Sequence, residues 1–220
     1  MIKIVADSSS LYSKNEGKEK GISIAPLAVN INGQTYKEFE DINTYEFIEI
    51  INKGHIPSSS QPSIGEVLEI YEQYKEDEII NISMADGLSG TYNSACMAKG
   101  MAENPERIDV INSKTLCGPH RYLVNLAAEL VKQGKTKKEI VDEINKTLED
   151  TQSYLIPHDF DFLVRGGRIS SLVGKIGSAI KLVPVMTMAE DKLSLVKFTT
   201  KRTFKSAIKK IVEEMLENNV

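Results

Sequence analysis

Ile79-Ile80-Asn81-Ile82, then Met84-Ala85-Asp86-Gly87-Leu88-Ser89-Gly90-Thr91, then a helical pattern from Tyr92 to Ala102: this stretch decides the fold class. A short apolar run leads through a polar, glycine-bearing turn into a helix, which is the βα unit of a parallel sheet. The unit recurs downstream. Ile108-Asp109-Val110-Ile111 runs into Asn112-Ser113-Lys114-Thr115 and a helix with Leu123, Leu126, Ala127, Leu130 and Val131 facing inward. A further helix carries Ile140, Val141, Ile144 and Leu148. Upstream, Ile2-Lys3-Ile4-Val5-Ala6 reads as a buried strand ended by Asp7-Ser8-Ser9-Ser10. Ala28–Ile31 and Gln34–Tyr36 flank Asn32-Gly33, the pair best suited to a type I′ hairpin turn. Asn43 with Glu46, and Ser63 with Glu66, are capping boxes that open helices. Gly54 closes the first of these helices.

Near residue 150 the alternation stops. Arg165-Gly166-Gly167-Arg168 interrupts the chain, and Val173, Ile176 and Ile180 predict a helix. Val183 to Met188 and Leu193 to Thr199 read as two strands joined across Glu190-Asp191. Phe204, Ile208, Ile211, Val212, Met215 and Leu216 mark an amphipathic helix. The reading is α/β: a mainly parallel-sheet domain over residues 1–150 and a smaller α+β domain over residues 151–220.

Composition narrows the function. A chain of 220 residues with net charge −4 lacks the basic surplus of a nucleic-acid binder. Its hydrophobic content of 41% and charged content of 26% are those of an ordinary globular domain. Cys96 and Cys117 have no metal-ligand spacing and are too few for a disulfide framework, so a cytoplasmic setting is expected. There is no signal peptide and no apolar run of spanning length, so no stable membrane insertion is expected.

Two hydroxyl-rich stretches stand before helix starts: Ser58-Ser59-Ser60-Gln61-Pro62-Ser63 and Gly87-Leu88-Ser89-Gly90-Thr91-Tyr92. Helix starts carry unpaired N–H groups and the positive end of the dipole, so hydroxyls there can help hold an anion if the stretches converge. Capping alone accounts for Ser63 and Glu66. It leaves Ser58, Ser59 and Ser60 in excess, and Ser89 beside a glycine that permits close backbone approach.

Sharper motifs are absent. Gly174-Lys175 lacks the rest of a P-loop, and no G-x-G-x-x-G follows a strand. Gly87-Leu88-Ser89-Gly90 falls one position short of a nucleophile elbow, so a serine hydrolase using Ser89 is a rival reading. His55, His120 and His158 are read as ordinary surface or capping residues, and no metal or other cofactor is expected. Arg165-Gly166-Gly167-Arg168 reads equally as an anion-cradling nest and as a tight turn with solvated arginines.

Four ordered motifs resemble the DegV family of bacterial fatty-acid-binding proteins. Val5-Ala6-Asp7-Ser8-Ser9 is similar to the family's N-terminal turn. Ser59-Ser60-Gln61-Pro62-Ser63 is similar to its T-S-Q-P-S segment, and Leu88-Ser89-Gly90-Thr91-Tyr92 to its L-S-G-T-Y. Gly166-Gly167-Arg168-Ile169-Ser170 is similar to its G-G-R-I-S, and Lys181-Leu182-Val183-Pro184-Val185 follows as a strand. The resemblance implies two domains with a ligand cleft between them. It also implies a long-chain fatty acid whose carboxylate is held by Ser59 and Ser89, with Ser60 and Gly90 beside them. Arg165 and Arg168 become contacts for a partner or the head group. It implies a carrier that is not itself a catalyst and serves a separate fatty acid kinase. A ligand-free interaction module is the remaining alternative. Ser59 stands where the family usually has Thr, and Asp86 adds a negative charge near the expected carboxylate. The chain also stops several dozen residues before the family's usual end, so one wall of the cleft is expected to be missing.

Overall fold

A computed structural model describes residues 1–169 and 182–218. It divides into two compact units, Met1–Thr151 and Gln152–Val220. The α/β class is as expected.

In the first unit, β1 (Ile2–Asp7), β2 (Ile22–Ala25), β6 (Glu78–Ser83) and β7 (Ile108–Asn112) form a parallel sheet in the order β2-β1-β6-β7. Successive side chains of a strand point to opposite faces, and both faces of this sheet are covered. Ile4, Ala6, Ile80 and Ile82 pack on one face against Leu123, Val124 and Ala127 of α5 (Cys117–Lys132) and Ile140 and Ile144 of α6 (Lys137–Asp150). Val5, Ile79 and Ile108 pack on the other against Val67 and Tyr71 of α3 (Ile64–Gln73) and Ala95 and Ala98 of α4 (Thr91–Met101). Each fully buried isoleucine contributes about 1.5–3 kcal/mol.

Asn81 sits on the α3/α4 face with a polar side chain. It is satisfied there: Asn81 Nδ2 donates to Tyr71 Oη at 2.7 Å and Ser83 Oγ donates to Asn81 Oδ1 at 2.9 Å. Burial holds the Tyr71 phenol protonated well above its usual range, with the Asn81 bond opposing.

A second sheet packs β3 (Ala28–Ile31) between β4 (Gln34–Lys37) and β5 (Ser58–Ser60), all antiparallel. The hairpin turns where predicted, with φ of 53° at Asn32 and 77° at Gly33. Val29, Ile31 and Ile42 form its core against Phe47 and Ile50 of α2 (Thr44–Asn52). The capping boxes of Asn43 with Glu46 and Ser63 with Glu66 are present.

The reading of Ser58–Ser60 as a lead-in to a helix needs correction. Its three exposed serines form an edge strand, with Ser59 opposite Val29 and Ser60 opposite Ala28. Two elements of this unit went unread in the sequence: β2, and α1 (Lys14–Glu19), for which the capping box of Ser13 with Glu16 was the available signal.

The second unit holds β8 (Tyr154–Leu155), α7 (Phe160–Arg165), β9 (Val183–Met188), β10 (Leu195–Lys201) and α8 (Phe204–Glu217). Its sheet order is β10-β9-β8. The strand predicted from Leu193 starts at Leu195, because Ala189 N donates to Ser194 O at 2.9 Å and closes the turn. The apolar stripe of α8 is unevenly used: Ala207 is buried, whereas Ile208, Val212 and Leu216 are exposed. The helix predicted from Val173, Ile176 and Ile180 lies outside the described residues, as do Gly174-Lys175, Ser170 and Lys181.

Candidate functional site

In an open parallel sheet, ligands bind beyond the strand C-termini where the chain changes direction across the sheet. Here β1 connects outward to β2 on one side, and β6 connects outward to β7 on the other. The switch point therefore lies between β1 and β6. Beyond it stand Asp7–Ser10 and Met84–Gly90, the turns that the sequence marks as polar.

Asp7 ties these turns together. Its side chain is 1% exposed. Oδ1 accepts from Ser9 N at 3.0 Å, while Oδ2 accepts from Met84 N at 2.8 Å. The β6 turn is held from its other side as well, by Ala85 N donating to Thr115 O at 2.9 Å. Sequence reasoning placed Asp7 only in a turn; its bridging role needs the strand order.

Ser89 is half-buried, with Oγ 2.8 Å from Thr91 Oγ1 and accepting from Thr91 N at 3.3 Å. Gly90 is the N-cap of α4, with φ −71° and no capping side chain of its own. Its hydrogen faces Gln61. A β-carbon at Gly90 would stand 3.0 Å from Gln61 Cδ and Nε2 and 3.2 Å from Oε1. The two hydroxyl-rich stretches therefore converge, through the Gln61 amide lying against the Gly90 backbone. Their helices also pack together: Tyr71 of α3 donates its hydroxyl to Ala95 O of α4 at 3.4 Å. Ser59 and Ser60 are exposed on β5, and their side chains make no hydrogen bond among the described residues. Asp86 accepts from Gly87 N at 2.9 Å.

Glu38 lies near the same turns. Ser8 Oγ donates to Glu38 Oε2 at 2.7 Å. Burial pushes the Glu38 carboxyl upward, the Ser8 bond opposes it, and the Asp7 charge adds to the rise. Burial, with Glu38 and Asp7 nearby, also raises the Cys117 thiol. Between the ordinary glutamate range near pH 4 and its raised folded value, Glu38 holds more proton in the folded chain than in the unfolded one. Its contribution to stability is therefore greatest at low pH and falls as pH rises through that window. Glu38→Gln should melt above the parent at about pH 8 and lose that advantage by about pH 4. Equal melting temperatures at the higher pH would contradict it.

The histidines divide. His55 Nδ1 lies 2.9 Å from Asn32 Nδ2, and His158 stacks on Phe204 with ring centroids 6.3 Å apart. His120 corrects the surface or capping assignment: it is 0% exposed, with Nδ1 2.9 Å from Ser9 Oγ and Nε2 2.9 Å from Ile82 O. Its place on the buried face of α5, in step with Leu123 and Ala127, was the available signal.

Arg165 and Arg168 belong to the second unit. Arg165 Nη2 lies 3.5 Å from Asp159 Oδ2, and Arg168 Nη1 donates to Gly166 O at 2.5 Å. The anion-nest alternative for Gly166-Gly167 fails. Gly166 N, Gly167 N and Arg168 N donate to the carbonyls of Phe162, Val164 and Leu163. With φ of 75° at Gly167, this is a helix C-terminal cap, and its N–H groups are already used.

Among the described residues, no group of three or more His, Cys, Asp or Glu side chains could hold a metal ion. No helix among them is long and apolar enough to cross a membrane.

The family model described as "Uncharacterised protein, DegV family" matches residues 1–220. The chain belongs to the DegV family. A DegV domain-containing protein of Staphylococcus aureus (strain N315) is 36% identical over 216 residues, covering 97% of this chain and 76% of the relative. The crystal structure of DegV from Bacillus subtilis, described as a fatty acid binding protein, has TM-score 0.85 and 32% identity. The match covers 99% of this chain and 77% of that one. A DegV family protein from Thermus thermophilus, described by its fatty acid binding, has TM-score 0.86 and 26% identity over 98% of this chain and 77% of that one. Both of those solved DegV proteins are described as binding fatty acids, and this chain shares their α/β fold.

Proposed function

We propose that the chain binds a long-chain fatty acid as a carrier, with the carboxylate held by Ser59 and Ser89 and by the backbone N–H of Gly90, Ser60 lying alongside. The observation that carries this reading is the contact of Gln61 with Gly90, which joins the two hydroxyl-rich stretches beside the switch point. Neutral hydroxyls suit a carboxylate that must stay reactive. They hold it by hydrogen bonds without fixing it in an ion pair, and they carry no charge to desolvate. The acyl tail supplies the affinity, at roughly 0.8 kcal/mol per buried CH₂.

The partner is a separate ATP-using fatty acid kinase, which would phosphorylate the presented carboxylate. Arg165 and Arg168, on the second unit, are the candidate contacts for that partner or for the head group. The rival esterase reading of Ser89 draws no support from its surroundings. No histidine bonds to its hydroxyl among the described residues.

Native mass spectrometry of the purified chain should find a co-purified acid of about 14 to 18 carbons, enough CH₂ groups to hold it through purification. Ligand-free protein that takes up no added fatty acid would end the proposal.

A further inference from the structure

Of the three consecutive serines after β1, Ser9 alone bonds to a histidine. Ser8 Oγ donates to Glu38 and accepts from Leu27 N at 2.9 Å, and Ser10 Oγ donates to Asp7 O at 2.8 Å. Both are buried. Ser9 is half-buried, and its Oγ lies 2.9 Å from His120 Nδ1. On the other side of the ring, Nε2 lies 2.9 Å from Ile82 O. A carbonyl oxygen only accepts, so Nε2 carries the ring proton and the Nδ1 lone pair receives the Ser9 hydroxyl. Asp7 Oδ1 stands 4.0 Å from Nδ1, beside the nitrogen that gains charge when the ring takes a second proton. A hydroxyl, a base within hydrogen-bond reach and an acceptor orienting that base are the parts of an activated serine. They meet at the C-terminal ends of β1 and β6, where the switch point opens.

We propose that Ser9 is a nucleophile activated by His120, acting on a long-chain acyl compound whose carbonyl carries a leaving group, a thioester or ester. Ser9 Oγ bonds to the acyl carbon as its proton passes to His120 Nδ1. The bond to the leaving group breaks, and that group departs with the electron pair and then takes the proton. Water next attacks the acyl carbon, giving a proton to Nδ1. The bond to Ser9 Oγ breaks, and the serine recovers its proton as the free acid leaves. His120 lies outside the four motifs of the family resemblance. The proposal rests on the fatty-acid reading only for the acyl chain of its substrate.

An alkyl fluorophosphonate tests it. Ser9 Oγ would bond to phosphorus while the P–F bond breaks and fluoride leaves. Intact mass and peptide fragmentation should give one adduct, on Ser9, that is absent from Ser9→Ala. Labelling of folded His120→Gln should be slower by about a hundredfold or more. If that buried substitution prevents folding, the urea-unfolded parent replaces it and should not label. No adduct on the folded parent, an adduct on another serine such as Ser89, or equal labelling of folded and unfolded chain would overturn the assignment. An unlabelled chain that still co-purifies with fatty acid would overturn the nucleophile and leave the carrier standing. A chain labelled on Ser9 that never takes up fatty acid would do the reverse.

Discussion

The double substitution Ser59→Ala/Ser89→Ala is expected to leave the fold intact and to empty the fatty-acid site. Ser59 is exposed on an edge strand whose ladder bonds come from its backbone, so removing its hydroxyl disturbs little. Ser89 Oγ accepts from Thr91 N just before α4, and losing such a bond costs about 0.5–1.5 kcal/mol. The ligand loses more. Hydrogen bonds to a charged group contribute about 1.5–3 kcal/mol each, so two lost from one carboxylate predict a Kd weaker by about 10²–10⁴-fold. The single variants should each lose about tenfold or more, and Ser59→Thr, which keeps the hydroxyl, should bind as the parent does. Occupancy by native mass spectrometry and a fluorescent fatty-acid titration measure both effects. A double variant that binds within about threefold of the parent would place the carboxylate elsewhere.

Strands and helices that bury a stripe were legible from periodicity, because their cores require it. Ile80 and Ile82 face α5 and α6 while Ile79 faces α3 and α4, as period-two alternation demands. Local chemistry was legible too: Asn32-Gly33 adopts positive φ at both positions, and the Ser63–Glu66 box forms as spaced. Elements whose stability comes from distant partners were not. The three serines of β5 have no apolar pattern and are strand only because β3 offers its edge. The Lys14–Glu19 helix has no apolar residue; it lies on β2 because Gly17 has no side chain, a β-carbon there standing 2.7 Å from Ile24 Cγ1.

The candidate site divides in the same way. The hydroxyls were visible as an excess over capping needs, but their convergence was not, since it depends on Gln61 meeting a glycine about thirty residues away in sequence. His120 was invisible as a partner of Ser9 for the same reason. The link spans 111 positions and exists only once β1 lies beside β6 and α5 crosses their face.

Asp7→Asn decides whether the bridge across the switch point stabilises the chain. Both Asp7 oxygens accept backbone N–H bonds from different turns, and the side chain is almost wholly buried. An asparagine has one acceptor oxygen. Whichever way the amide turns, its NH₂ meets either Ser9 N or Met84 N, donor against donor, and one buried N–H is left without a partner. The lost charged bond and the orphaned donor together cost about 2–4 kcal/mol. At about 2–4 °C per kcal/mol for a domain of this size, the melting temperature should fall by roughly 5–15 °C. The turn carrying Ser89 would be released at Met84, so fatty-acid retention should fall as well, even well below the melting temperature. The opposing effect is desolvation: replacing a buried carboxylate can be neutral or stabilising when its bonds do not repay the loss of water. The two accounts predict opposite signs. A variant that melts at or above the parent would mean that desolvation wins, and Asp7 would then be a destabilising group whose position serves Ser9 and His120. A variant that melts lower and also releases its ligand would make the β1–β6 bridge a structural support of the site.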